Sequence, residues 1–357
     1  MGIKNEGEIP VTYTPEHVHL VGSIGLPSGA DVFHTCGRML GRRLQRVPDG
    51  EPGGRRLWIS WQIPLLRACP FFQLAATPQQ PGQIFGVLKL ADGVHPNEVR
   101  FDELGYALEA RASYQDFLEA KARGDLPQQV RFQVSLPTPH AVVWGQFTPE
   151  ALPIAFEAYT QAMLREVERI CERIPHRELA IQWDVCFEMV IWDGSGFFRW
   201  NLPGDPRTEI ITHLKRISEA VPTDVELGYH LCYGDLDAKH FFNPKDASAI
   251  VELANAIAAN IKRPIAYIHA PVPIERTDDA FFRPFDRLRL HSGTELFLGV
   301  VHARDGIEGL NARIAAAARH VPSFGIATEC GMARARTPSV VEHLLELHAA
   351  GSREPVA

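Results

Sequence analysis

Positive charge is in deficit in this chain. Its 36 lysines and arginines stand against 43 aspartates and glutamates over 357 residues, a formal net charge of −7. A surface of that sign draws in neither a phosphate backbone nor an anionic bilayer, so nucleic acid and membrane are not expected partners. Cysteine is sparse too: six residues scattered over such a length make no disulfide framework. No apolar run reaches membrane-spanning length. The start, Met-Gly-Ile-Lys-Asn-Glu6, lacks the hydrophobic stretch of a signal peptide, and Glu6 stands where a myristoylation motif wants Ser or Thr. Repeats at a solenoid period and long low-complexity linkers are missing as well. What these absences leave is a soluble, cytoplasmic protein long enough for a sizeable core.

What is present is alternation. From about residue 130, strand-like runs at 130–136, 179–184, 224–230, 264–269, 295–301 and 323–328 are separated by helical patterns. Those patterns cover 150–172, 207–220, 246–261, 280–290 and 306–320, and 339–349 closes the chain. Strands spaced by helices of that length indicate βαβ units and a parallel sheet. Two upstream strand candidates, 17–22 and 44–48, flank a helical pattern at 29–41. The expectation is therefore α/β: a single (β/α)8 TIM barrel over 1–357, with an insertion after strand 2 at 50–102. The insertion holds prolines, a Gln-rich stretch at 77–83 and a candidate hairpin pairing 71–75 with 84–90. A doubly wound open sheet is the competing architecture.

In a barrel, chemistry gathers where strands end, because the βα loops converge there. Asp184, His230, Cys232, His269, His302 and Cys330 all fall at or just after such ends. His230-Leu-Cys232 closes one strand, and alternation puts both side chains on one side. Thr-Glu-Cys330-Gly closes another. One imidazole and two thiols are the donors a borderline-soft ion such as Zn²⁺ selects, and three protein ligands leave one position for substrate. A thiol bound there becomes a thiolate at neutral pH. Cysteine is also a common small core residue. Cys36, Cys69 and Cys171 are read that way, with Cys186 a bystander or core filler.

Gly-Tyr-His230-Leu-Cys232-Tyr and Glu329-Cys330-Gly-Met-Ala-Arg334 resemble the zinc motifs in the C-terminal barrel of cobalamin-independent methionine synthase. Leu20-Val-Gly22-Ser23 is similar to that family's opening strand and turn. Asp49-Gly50-Glu51 with Arg55 and Trp58 resembles its His-Gly-Glu segment, and Ile181-Gln-Trp-Asp184 its Gln-Ile-Asp-Glu-Pro strand end. These short motifs run in order along nearly the whole chain. The wider superfamily includes uroporphyrinogen decarboxylase, epoxyalkane:coenzyme M transferase and corrinoid-linked methyltransferases.

The resemblance implies zinc held by His230, Cys232 and Cys330, with Ser23, Glu51 and Asp184 at the substrate. An acidic pair suits an ammonium group, although Asp49-Gly50-Glu51 also fits a simple turn. Two departures stand out. Where the synthase has a zinc-binding Glu, this chain has His269: a fourth ligand, a group orienting the thiol, or an uninvolved strand-end residue, ranked above Glu252. Val300-Val-His302-Ala-Arg304-Asp305 places His302 two positions early as a catalytic candidate, with Arg304 available to a substrate carboxylate or sulfonate or left in a solvated loop. The aromatic run 197–200 after Asp193-Gly-Ser-Gly196 suggests a lid or an oligomer contact.

The function expected is zinc-dependent transfer of a methyl or other alkyl group to a small-molecule thiol. The synthase has two barrels and a folate donor; with length for one, a methylcorrinoid protein or another small donor is expected here. Epoxide opening by a thiol, a metal-free decarboxylase and a purely structural zinc are the alternatives.

Overall fold

The computed structural model describes residues 13–76, 86–235 and 239–355. Seven parallel strands make the main sheet: β1 (Arg46–Pro48), β4 (Arg131–Pro137), β5 (Leu179–Val185), β6 (Glu226–Leu231), β7 (Tyr267–Pro271), β8 (Glu295–Val301) and β9 (Gly325–Thr328). They lie in sequence order across it, and a separate antiparallel pair is formed by β2 (Phe72–Leu74) and β3 (Leu88–Leu90). The central strands are buried almost end to end; Leu179–Val185 is buried at every position. Burial on both faces is what a parallel sheet jacketed by helices requires.

The expected eighth strand departs from a regular ladder. Segment 17–24 touches both sheet edges through isolated parallel bridges: Val18 with Leu44 and Ile326, Ser23 with Gly50, Ile24 with Met332. The reason lies in two interior glutamines. Gln133 Nε2 donates to the carbonyls of Leu20 and Val21, and Gln182 Nε2 to that of Val21 at 2.6 Å. Carbonyls that would extend a ladder accept side-chain amides instead. The seven-stranded sheet is thus curled, and this segment spans from its last strand to its first, a TIM-barrel-like arrangement.

The expected insertion runs through short 3-10 turns, the helix Ile63–Ala68 and the β2–β3 pair. Its Gln-rich stretch and the inner part of the expected hairpin lie outside the described residues. One helical expectation is corrected and one helix is added. The pattern at 280–290 is one α turn, Asp279–Phe282, continued as a 3-10 turn, Arg283–Arg287, because Pro284 has no N–H for an α ladder. The helix Tyr106–Arg123, between left-handed Gly105 and Gly124, was not expected. Its buried stripe is diluted by Ala110 and Ser113, which weakens the apolar period.

Candidate metal centre and cavity

Strand register assembles the site. Asp184 on β5, His230 on β6 and His269 on β7 are neighbours across three adjacent strands. The Cys232 amide donates to the Val185 carbonyl at 3.1 Å, carrying the β5–β6 pairing one step past His230. Cys330 arrives from the turn after β9, braced by the Thr328 hydroxyl donating to the Cys330 carbonyl at 2.6 Å. Gly331 lets this turn pass against the opening segment, since any side chain there would collide with Ser23 Oγ.

The three expected ligands come together. Ligand atoms of His230, Cys232 and Cys330 all lie within 4.8 Å of one another, and all three residues are buried. The two sulfurs are 3.6 Å apart; two sulfurs each about 2.3 Å from one tetrahedral zinc would lie roughly 3.8 Å apart. His230 Nε2 is buried without a hydrogen-bond partner. An orphaned acceptor of that kind is costly unless something outside the protein uses it. Each sulfur also has an N–H aimed at it, Gly234 N on Cys232 at 3.2 Å and Arg334 Nη2 on Cys330 at 3.5 Å. This donor set fits a thiophilic divalent ion.

His269 stands behind this group. Its Nε2 donates to the Thr328 carbonyl at 3.0 Å, so its Nδ1 carries the lone pair. Burial holds its pKa down at about 3, which keeps the ring neutral. His230 Nδ1, 2.7 Å away, then donates to His269 Nδ1, and the His230 lone pair is turned onto Nε2. His269 is not brought into the group that could hold a metal: both its nitrogens are engaged within the protein, and it orients His230.

Beside the sulfurs lies a cavity of about 210 Å³ whose walls include Ser23, Glu51, Trp58, Asp184, Cys186, Phe187, Phe241 and Arg334. Asp184 is pushed up to about 7 by burial, which outweighs the Gln182 amide donating to it at 2.8 Å and the Arg334 charge. Glu51 is pushed up to about 8 by burial and by the charges of Asp184 and Asp49. It also sits at φ 53, a left-handed conformation a glutamate rarely adopts, after Gly50 at φ 79. Strain of this kind concentrates at working sites.

His302 and Arg304 are not brought here. His302 lines a separate cavity across the Thr328–Cys330 turn, with Nε2 2.9 Å from the Val272 carbonyl and Nδ1 3.9 Å from Glu329. Arg304 is 73% exposed and pairs with Glu275 at 3.2 Å. Strand-end position does not tell on which side of the next turn a side chain falls. Sequence reasoning also gave no role to one cavity residue and read another as a bystander or core filler. Arg334 lies within a motif that assigns it no role; burial opposes its charge, which Cys330 and Cys232 when ionised, Asp235 and Glu51 favour. Cys186 lines the cavity beside Cys232.

Solved structures share this fold. A protein described as a vitamin-B12 independent methionine synthase from Listeria monocytogenes superposes with a TM-score of 0.56 at 12% identity, over 96% of this chain and 99% of that one. A B12-independent methionine synthase from Shewanella sp. W3-18-1, in complex with selenomethionine, gives 0.56 at 14%, over 93% and 97%. A methyltransferase from Methanosarcina mazei gives 0.50 at 11%, over 96% and 95%. No family model matches the sequence, and no curated protein matches it. The class that fold and site define is a methionine-synthase-like α/β architecture with a buried His-Cys-Cys group that can hold a metal. Among the described residues no helix is long and apolar enough to cross a membrane.

Proposed function

We propose that this chain is a zinc-dependent transferase of the cobalamin-independent methionine synthase-like family, moving a methyl or other alkyl group to a small-molecule thiol. The observation that carries the reading is the trio itself: two sulfurs 3.6 Å apart and an unpartnered His230 Nε2, facing a cavity with two carboxyls. His230, Cys232 and Cys330 would hold the ion. When bound, zinc lowers the pKa of a thiol at the remaining position and makes that sulfur nucleophilic at neutral pH.

The protein's own groups do the rest. His269 fixes the His230 tautomer, and Arg334 offsets the negative charge that two ionised cysteines bring. Asp184 and Glu51 are placed to hold a cationic group of a bound substrate and to take the acceptor's thiol proton. Trp58, Phe187 and Phe241 keep water from the sulfur. A methylcorrinoid protein or a small methyl donor supplies the alkyl group. The described cysteines are all free, which suits a reducing compartment such as the cytoplasm.

The test is product formation. Zinc-loaded protein incubated with homocysteine or coenzyme M and a panel of methyl donors, methylcobalamin included, should yield a methyl thioether by mass spectrometry, and metal-stripped protein should not. Equal yields with and without zinc would overturn the assignment.

A further inference from the structure

The cavity's walls constrain the donor, given the thiol-alkylating reading on which this step rests. Three aromatic rings line it. Trp58 and Phe187 have centroids 5.9 Å apart at 68°, and Phe187 and Phe241 6.4 Å apart at 70°. At these distances and angles each pair is in edge-to-face contact, so the three rings make one continuous aromatic wall along the cavity. Phe198 backs Phe187 at 4.2 Å, and Phe197 lies parallel behind Phe241 at 5.5 Å. These second rings hold the first ones in place. Glu51 and Asp184 complete the enclosure.

Charge in this enclosure is unbalanced. Arg334 is the only lysine or arginine lining the cavity among the described residues. It is already directed at the Asp235 carbonyl, 2.7 Å from Nε, and at the Cys330 sulfur. Nothing comparable is placed to receive a carboxylate tail, since Arg304 lies outside. A cation among the rings and carboxyls would meet both the negative ring faces and the acids. Burial holds those acids at about 7 and 8, and an adjacent cation favours their ionised forms.

We infer that the methyl donor is an organic cation, a sulfonium or quaternary ammonium compound, seated in the cavity between the aromatic wall of Trp58, Phe187 and Phe241 on one side and the Glu51–Asp184 pair on the other. The transfer balances without a further reactant. The acceptor's sulfur forms a bond to the methyl carbon as the bond from that carbon to positive nitrogen or sulfur breaks. The electron pair stays on the departing atom, which leaves as a neutral tertiary amine or thioether. The thiol proton passes to a carboxylate and then to solvent. A leaving group that departs neutral needs no acid to protonate it.

Calorimetry on the zinc-loaded chain with choline and with its neutral isostere 3,3-dimethylbutan-1-ol tests this. Choline should bind roughly tenfold tighter or better, and Phe241→Leu should weaken choline several-fold while leaving the isostere unchanged. Trimethylsulfonium against tetramethylammonium then separates the two onium sources. Equal binding of choline and the isostere in the unaltered protein would overturn the inference, whatever the variant does. If cobalt-substituted protein still takes up a thiol in that case, only the donor assignment falls. If no thiol is taken up, the reading beneath it falls too.

Discussion

The two ends of the sheet treat charge in opposite ways. At the N-terminal ends of the strands Arg46, Arg131, Glu226 and Glu295 are matched in one network. Arg46, 5% exposed, reaches Glu226 at 2.5 Å and Glu295 at 3.4 Å and lies over the Tyr267 ring. Arg131 joins Glu226 at 2.8 Å, and His17 with Gln45 completes Glu295. At the C-terminal ends, polar groups are buried and left over: His230 Nε2 has no partner, and Asp184 and Glu51 are pushed toward neutrality. One end spends its polar groups on holding the strands together. The other keeps them unmatched within the protein, which is the mark of a site waiting for a ligand.

That contrast can be broken from either end. The largest effect is expected for Cys330→Ser, which should weaken zinc binding at least about a hundredfold, by competition with a chromogenic chelator, with the circular dichroism unchanged. Arg46→Ala should do the reverse: a loss of about 1–3 kcal/mol in urea unfolding, from two acids that each lose one of their partners, with zinc stoichiometry intact. His269→Ala should lower zinc affinity about 10- to 100-fold, by freeing the His230 tautomer, without changing the ligand count.

The pH response sharpens the same point. Asp184 and Glu51 bind protons more tightly folded than unfolded. Their contribution to stability is therefore complete below about pH 4 and declines as pH rises toward 7–8. In metal-free protein, Asp184→Asn should narrow the stability difference between pH 5 and pH 8 by on the order of 2 kcal/mol. The smallest effect is expected at Arg304→Ala. An exposed pair with Glu275 should leave stability within about 0.5 kcal/mol and thiol binding unaltered.

Much of this was legible beforehand. The strands from 130 onward fall within a few residues of their expected positions, because β-branched and apolar runs bounded by helical periods leave little choice. His230, Cys232 and Cys330 were found by residue chemistry plus strand-end position, and the structure brings them together. His269 was found too, but its role turned on which nitrogen faces Thr328, a matter of register and tautomer that no spacing encodes. His302 satisfied the same strand-end rule, and both it and Arg304, two residues on in the same motif, line another cavity. The aromatic wall was hidden because Trp58, quoted only within a motif, and Phe187 and Phe241 come from three distant segments that no sequence spacing brings together. The irregular opening segment was hidden for a similar reason, as Gln133 and Gln182 compete for its carbonyls from 112 or more residues away.

The central claim, that His230, Cys232 and Cys330 hold an ion with room for a substrate thiol, is tested most directly by cobalt substitution. Co²⁺-loaded protein titrated with homocysteine or coenzyme M should gain thiolate-to-cobalt absorption that saturates with the added thiol. A spectrum that stays unchanged with every thiol tried, in protein retaining its cobalt, would contradict it.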